Sequence, residues 1–221
     1  MRHLLYSLLG GLSFASSSCA EQVASTQIPP TPRVVLVHGF LETGSNFNTL
    51  KKRLEKRGFE CYAPKLLHND GRGGLENLAI HLKRDIDQKF GDKEPISIVA
   101  FSMGGLVSRY YLQNLGGAKR CKNFITVASP HNGTKAAWLY PSKGVKQMRS
   151  GSEFLANLDL TESQLSDIPV TSYRTRWDLI ILPSTSSIWS RAENLEHPSL
   201  LHPLLLHSNH VLKDVEKRLL D

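Results

Sequence analysis

Short, almost wholly apolar runs alternate along this chain with stretches whose apolar residues recur at helical spacing, and no other feature narrows the fold as much. Arg33–His38 (RVVLVH), Phe59–Ala63, Ile96–Phe101 (ISIVAF), Asn123–Ala128 and Val170–Arg174 read as strands. Between them, Asn46–Arg57 sets Phe47, Leu50 and Leu54 at helical spacing and is closed by Gly58. Leu75–Phe90 clusters Leu78, Ile80, Leu82, Ile86 and Phe90 toward one side, and Met103–Leu115 follows as a further helix. Strands that read as continuous apolar runs are buried on both faces, so the pattern predicts an α/β fold with a mostly parallel central sheet flanked by helices.

The 221 residues, 40% of them hydrophobic and 21% charged, suit one globular domain with ample material for a core. No repeat of 20–50 residues recurs. Residues 1–20 carry Arg2, an apolar stretch from Leu4 to Ala15 and then small residues, the pattern of a secretory signal. Residues 21–32 read as a linker, and 33–221 as the folded domain. Export to the periplasm or the medium is therefore expected, with cleavage after Ala20. Acylation of Cys19 is the weaker alternative, because Ser16 stands where a lipobox has leucine. Removing residues 1–20 takes away Arg2 and no acid, so the formal charge falls from +7 to +6. Such a surface favours anionic membranes and equally serves solubility. No aromatic-interleaved basic run is present, which argues against nucleic-acid binding.

The strand Ile96–Phe101 runs straight into Ser102-Met103-Gly104-Gly105, and a helical pattern begins at once. A serine on so tight a strand-to-helix turn is a nucleophile elbow only if its neighbours two before and two after are small, and Ala100 and Gly104 are. Taken alone this signal is weak, since serine and glycine also cap helices. His38-Gly39-Phe40 strengthens it: a glycine turn at the end of the first strand can aim a backbone N–H at the same point. Phe40 and Met103 are then the two backbone donors for an oxyanion.

These residues resemble the α/β-hydrolases, and within them the small bacterial lipases and esterases. VVLVHGF is similar to the oxyanion strand and loop, AFSMGG to the elbow with Ala100 in place of the usual glycine, and TVASPHNGT to the Pro-His-x-Gly segment after the next strand. The resemblance implies an α/β-hydrolase fold with a minimal cap, since residues 135–169 are too few for a cap domain. It also implies an open, shallow cleft, and a helix in GVKQMRSGSEFLANLD that packs Phe154 and Leu155 on the core. His131 and His38 are structural in that reading.

The family order is serine, acid, histidine. Asp178, just after the strand Val170–Arg174, is the candidate acid; Asp159, Glu162 and Asp167 are rivals in the polar stretch before it. His202 is the candidate base, with the apolar run Leu204–Leu206 after it and Val211 as the first anchor of a terminal helix; His197, His207 and His210 are alternatives. The base is expected on a loop that enters that helix. Ser102, Asp178 and His202 would then hydrolyse an acyl ester through an acyl-enzyme, with no cofactor and no metal. A thioesterase, phospholipase or acyltransferase would use the same three residues, and a hydrolase-fold binding module would have lost their use. The expected partner is an acyl ester or lipid substrate, with peripheral contact to an anionic membrane surface. The hydrolase strand order also puts two strands between Cys61 and Cys121, so no disulfide is expected.

Overall fold

The computed structural model describes residues 31–199 and 201–220, so the expected leader and most of the linker lie outside the described residues. Six strands form one sheet in the order β2-β1-β3-β4-β5-β6, every neighbouring pair parallel. They are β1 (Arg33–Val37), β2 (Glu60–Tyr62), β3 (Ile96–Phe101), β4 (Cys121–Val127), β5 (Val170–Arg174) and β6 (Glu193–Glu196). The α-helices are α1 (Asn48–Glu55), α2 (Leu75–Phe90), α3 (Met103–Asn114), α4 (Lys143–Gln147), α5 (Glu153–Leu160), α6 (His202–Leu205) and α7 (Asn209–Leu220).

Successive residues of a strand point to opposite faces, so the apolar runs build two cores. On one face Val35, Val37, Ile98 and Ala100 pack with α2, α3 and α5; on the other Val34, Leu36, Val99 and Phe101 pack with α1 and α7. The expected helix over 46–57 is a 3-10 turn (Gly44–Phe47) that passes into α1, with Thr43 as its cap. Ile80 departs from its expected side: it is exposed, because four residues from Glu76 it turns toward solvent while Leu78, Leu82, Ile86 and Phe90 are buried. α5 buries Phe154 and Leu155 as expected. β6 has no counterpart in the sequence reading, since its residues ENLE are polar and mostly exposed on an edge.

β3 is buried along its whole length and delivers residue 102 to the carboxyl edge of the sheet. There α3 approaches β1 so closely that a Cβ on Gly104 would lie 2.4 Å from Val37 O and 2.6 Å from His38 O. Only glycine fits at that position.

Cys61 lies on β2 and Cys121 on the first residue of β4, with β1 and β3 between them, and both thiols are free and buried. Burial pushes the Cys61 thiol up to about 11 and the Cys121 thiol up to about 12. In thiol titration near pH 8, where the reactive species is the thiolate, neither should react in the folded protein and both should react on unfolding. Prompt reaction in the native state would contradict this packing.

Candidate active site

Ser102 adopts φ 53° and ψ −125°, a backbone conformation that non-glycine residues rarely occupy. The surroundings hold it there: Ser102 N donates to Val127 O at 2.9 Å, and Gly105 N donates back to Ser102 O at 3.0 Å. Strain of this kind persists only where packing over-determines it, and it collects at functional sites. The side chain stands at the mouth of an apolar cavity of about 260 Å³, whose lining includes Phe40, Pro130, Ala137, Tyr140, Val145, Met148 and Ile181. The expected shallow cleft is thus a defined pocket, walled by the short helical pieces of residues 135–148. A larger cleft of about 520 Å³ lies at the starts of β4 and β5 and holds none of the candidate residues.

Asp178 sits in the turn after β5, 4% exposed. Its Oδ1 accepts from Ile180 N at 2.9 Å and Ile181 N at 2.8 Å, which fixes the carboxylate and leaves Oδ2 free to accept from His202 Nδ1 at 2.7 Å. That bond sets the tautomer: with the proton on Nδ1, Nε2 of His202 is a proton acceptor. His202 is the first residue of the short helix α6 and not part of a loop, a departure that comes from Pro203 favouring a helical start. The imidazole packs on Phe101, ring centroids 4.8 Å apart, which carries it to the elbow. No hydrogen bond joins it to Ser102 Oγ, as is frequent in unliganded sites. The segment that delivers His202 is tied to the end of β5 by His197 N to Arg174 O at 2.9 Å and by the Thr175 hydroxyl to Ser199 O.

The competing residues are engaged elsewhere. Asp159 and Glu162 face the buried Arg109, and Asp167 is exposed. His207 is exposed in the turn between α6 and α7; His210 lies within α7 and packs 5.1 Å from His197, which bonds the Ser208 hydroxyl at 3.2 Å. His38 and His131 are scaffold. Leu66 N donates to His38 Nε2 at 3.2 Å, so His38 Nδ1–H donates to Gly39 O at 3.0 Å. His131 shares a 3.1 Å hydrogen bond with Thr126 Oγ1 and stacks on Trp189, centroids 4.7 Å apart. Arg109 lies 4.2 Å from the same indole ring.

The backbone N–H groups of Phe40 and Met103 have no acceptor among the described residues. Gly39 brings the first loop against the elbow, since a Cβ there would lie 3.1 Å from Ser102 Cβ. The sequence reading passed over Glu42, whose Oε2 accepts from Gly39 N at 3.0 Å. A lone loop carboxylate carries no periodic signal, so nothing in the pattern could have singled it out.

A sequence profile of the family described as alpha/beta hydrolase fold matches residues 32–199. Among solved structures, the mature form of a lipase from Bacillus licheniformis superposes with a TM-score of 0.72 at 18% identity, over 88% of this chain and 94% of that one. Lipase B of Aspergillus fumigatus gives 0.74 at 16% identity, over 86% of this chain and 53% of that one. A thioesterase domain from the curacin biosynthetic pathway gives 0.61 at 14% identity, over 88% and 92%.

Burial lowers the pKa of His38, and lowers that of His131 well below its ordinary value with help from Arg109. Both are therefore neutral when folded at pH values where the unfolded chain, with histidine pKa near 6.5, takes up protons. The sign follows: unfolding free energy is full above about pH 6.5 and falls as the pH drops below it, by at most about 1.4 kcal/mol per pH unit for each group. Guanidinium unfolding should give a lower midpoint at about pH 5.5 than at about pH 7.5. Equal midpoints would contradict neutral burial.

Proposed function

The chain belongs to the α/β-hydrolase family, and from that premise we propose that it is a serine hydrolase that cleaves carboxylic acyl esters through an acyl-enzyme. The observation that carries this reading is the 2.7 Å hydrogen bond between Asp178 and His202, set beside the strained turn of Ser102. His202 Nε2 takes the proton of Ser102 Oγ as that oxygen attacks the ester carbonyl carbon. Asp178 holds the tautomer and stabilises the imidazolium. The carbonyl oxygen becomes an oxyanion that the Phe40 and Met103 N–H groups face. Collapse breaks the ester C–O bond and His202 returns the proton to the leaving alcohol. Water then repeats the cycle on the acyl-enzyme and releases the carboxylic acid. The apolar cavity beside Ser102 takes the acyl chain, which favours an ester or lipid substrate over a charged one.

The reading extends to where the substrate is met. Trp138, Leu139, Trp177 and Leu179 are 57–87% exposed on the loops at the same carboxyl edge, a cost in water that a lipid surface would remove. Lys135, Lys143 and Lys146 are exposed near them and would face anionic headgroups. No described helix is long and apolar enough to cross a membrane; the contact proposed is a peripheral one, through these exposed side chains. Export, argued from residues 1–20, would bring the chain to such a surface from outside the cytoplasm.

A fluorophosphonate probe should label the wild type and not Ser102→Ala. His202→Ala and Asp178→Asn should lose on the order of 10⁴-fold or more in kcat with the fold intact, whereas His207→Ala should keep most activity. Absence of label on folded wild type would point instead to a hydrolase fold used for binding. For the surface, phosphatidylglycerol vesicles should shift the tryptophan emission of the wild type to the blue, and Trp138→Ser with Leu139→Ser should weaken that binding. Vesicles without effect on either would remove the membrane part alone.

A further inference from the structure

The loop between β1 and the first 3-10 turn is held in a strained shape by bonds that the hydrolytic scheme does not use. Leu41 has φ 55°, in the left-handed region that disfavours a side chain of its kind. Three hydrogen bonds pin the loop around it. Leu41 N donates to Asn69 O at 3.1 Å, Asn69 Nδ2 donates to Glu42 O at 2.5 Å, and Gly39 N donates to Glu42 Oε2 at 3.0 Å. The last bond consumes the Gly39 N–H and so leaves the next amide, Phe40 N–H, as the one the loop presents to the elbow. Gly39 itself lies between the two groups, since a Cβ there would sit 2.8 Å from Glu42 Oε2 and 3.1 Å from Ser102 Cβ.

We propose that Glu42 is a positioning residue of this site, whose carboxylate fixes the Gly39–Phe40 turn so that the Phe40 N–H faces the oxyanion. This rests on the ester-hydrolase reading above. The acceptor oxygen sets geometry, and an oxyanion donor misplaced by a fraction of an ångström loses most of its value because its contribution depends on being preorganised. Glu42 is half-buried, and burial holds its own pKa up.

The full chain with Glu42→Ala and Glu42→Gln tests this on a p-nitrophenyl ester. Glutamine keeps an acceptor for Gly39 N–H and removes the charge; alanine removes both. Glu42→Ala should lower kcat by about tenfold to a hundredfold, less than loss of a whole oxyanion donor, with KM within about twofold because the acyl cavity is untouched. Glu42→Gln should recover most of that kcat. A residue that serves the fold alone would not be rescued in kcat, with KM unmoved, by an amide acceptor. Should alanine fail to fold, Glu42→Met, which keeps the volume and offers no oxygen acceptor, should show the same loss of kcat. Equal loss in Glu42→Gln and in the variant without an acceptor, or wild-type kcat in the latter, overturns the positioning role. In each of these cases the wild type still hydrolyses the ester and reacts with fluorophosphonate. If the wild type does neither, it is the ester-hydrolase reading that has failed.

Discussion

The close approach of α3 to the end of β1 is the contact on which the site depends. Where Gly104 packs against Val37 O and His38 O there is no room for a side chain, and Gly105 faces Ser129 with similar tightness. At Gly104 the packing is backbone against backbone, so it cannot relax by a rotamer change, and it sets the ends of β1 and β3 at a fixed distance. The strained turn at Ser102 follows from that closeness, since the chain must reverse from strand to helix within one residue. The Phe40 and Met103 amides are placed by the same contact, one from each side of the gap. A site of this kind is a property of three strand ends held together, and not of the serine alone.

Polar groups that the sheet buries around the elbow support the same arrangement. His38 accepts from Leu66 N and donates to Gly39 O, which ties the Gly39–Phe40 loop to the segment after β2. His131 and Arg109 both lie against Trp189, and the indole N–H donates to Glu162 Oε2 at 2.5 Å. Arg109 is fully buried and also donates to Leu158 O at 3.2 Å. Burying such groups costs free energy unless they are hydrogen-bonded, so their worth lies in specifying one geometry rather than in added stability. They hold the His131 segment, whose neighbour Pro130 lines the apolar cavity.

How much of this could be read from the sequence follows from which signals are periodic. β3, β5 and α2 are legible to the residue because a strand buried on both faces must be apolar throughout and a long amphipathic helix repeats its pattern over several turns. Chain order and small neighbours single out Ser102, Asp178 and His202 as candidates, and the fold joins Asp178 to His202 at 2.7 Å. β6 was not legible, since an exposed edge strand needs no apolar face. In residues 135–169 the one helix that was expected, packing Phe154 and Leu155, is α5, whereas the separate α4 and the 3-10 turn Lys135–Trp138 were not legible as elements. Their role as cavity walls depends on tertiary packing that no local pattern records. Glu42 was invisible for a related reason: its partner is a backbone N–H, and any residue supplies one.

That the apolar cavity, the exposed tryptophans and the candidate nucleophile share one edge follows from the parallel topology. In an all-parallel sheet every strand delivers its following loop to the same side, so residues distant in sequence converge there without distorting the core. β1, β3, β4 and β5 contribute the Gly39–Phe40 loop, the Ser102 turn, the Pro130 wall and the Asp178 turn in that way. His202 alone comes from beyond β6, and it is tied back to β5 by the bonds at Arg174 and Thr175. The opposite edge carries the cleft at Lys122 and Arg218. The sheet thus gathers at one edge the positive-φ turns at Leu41, Ser102 and Ala128 and the exposed Trp138, Leu139, Trp177 and Leu179, which the loops after parallel strands bring together.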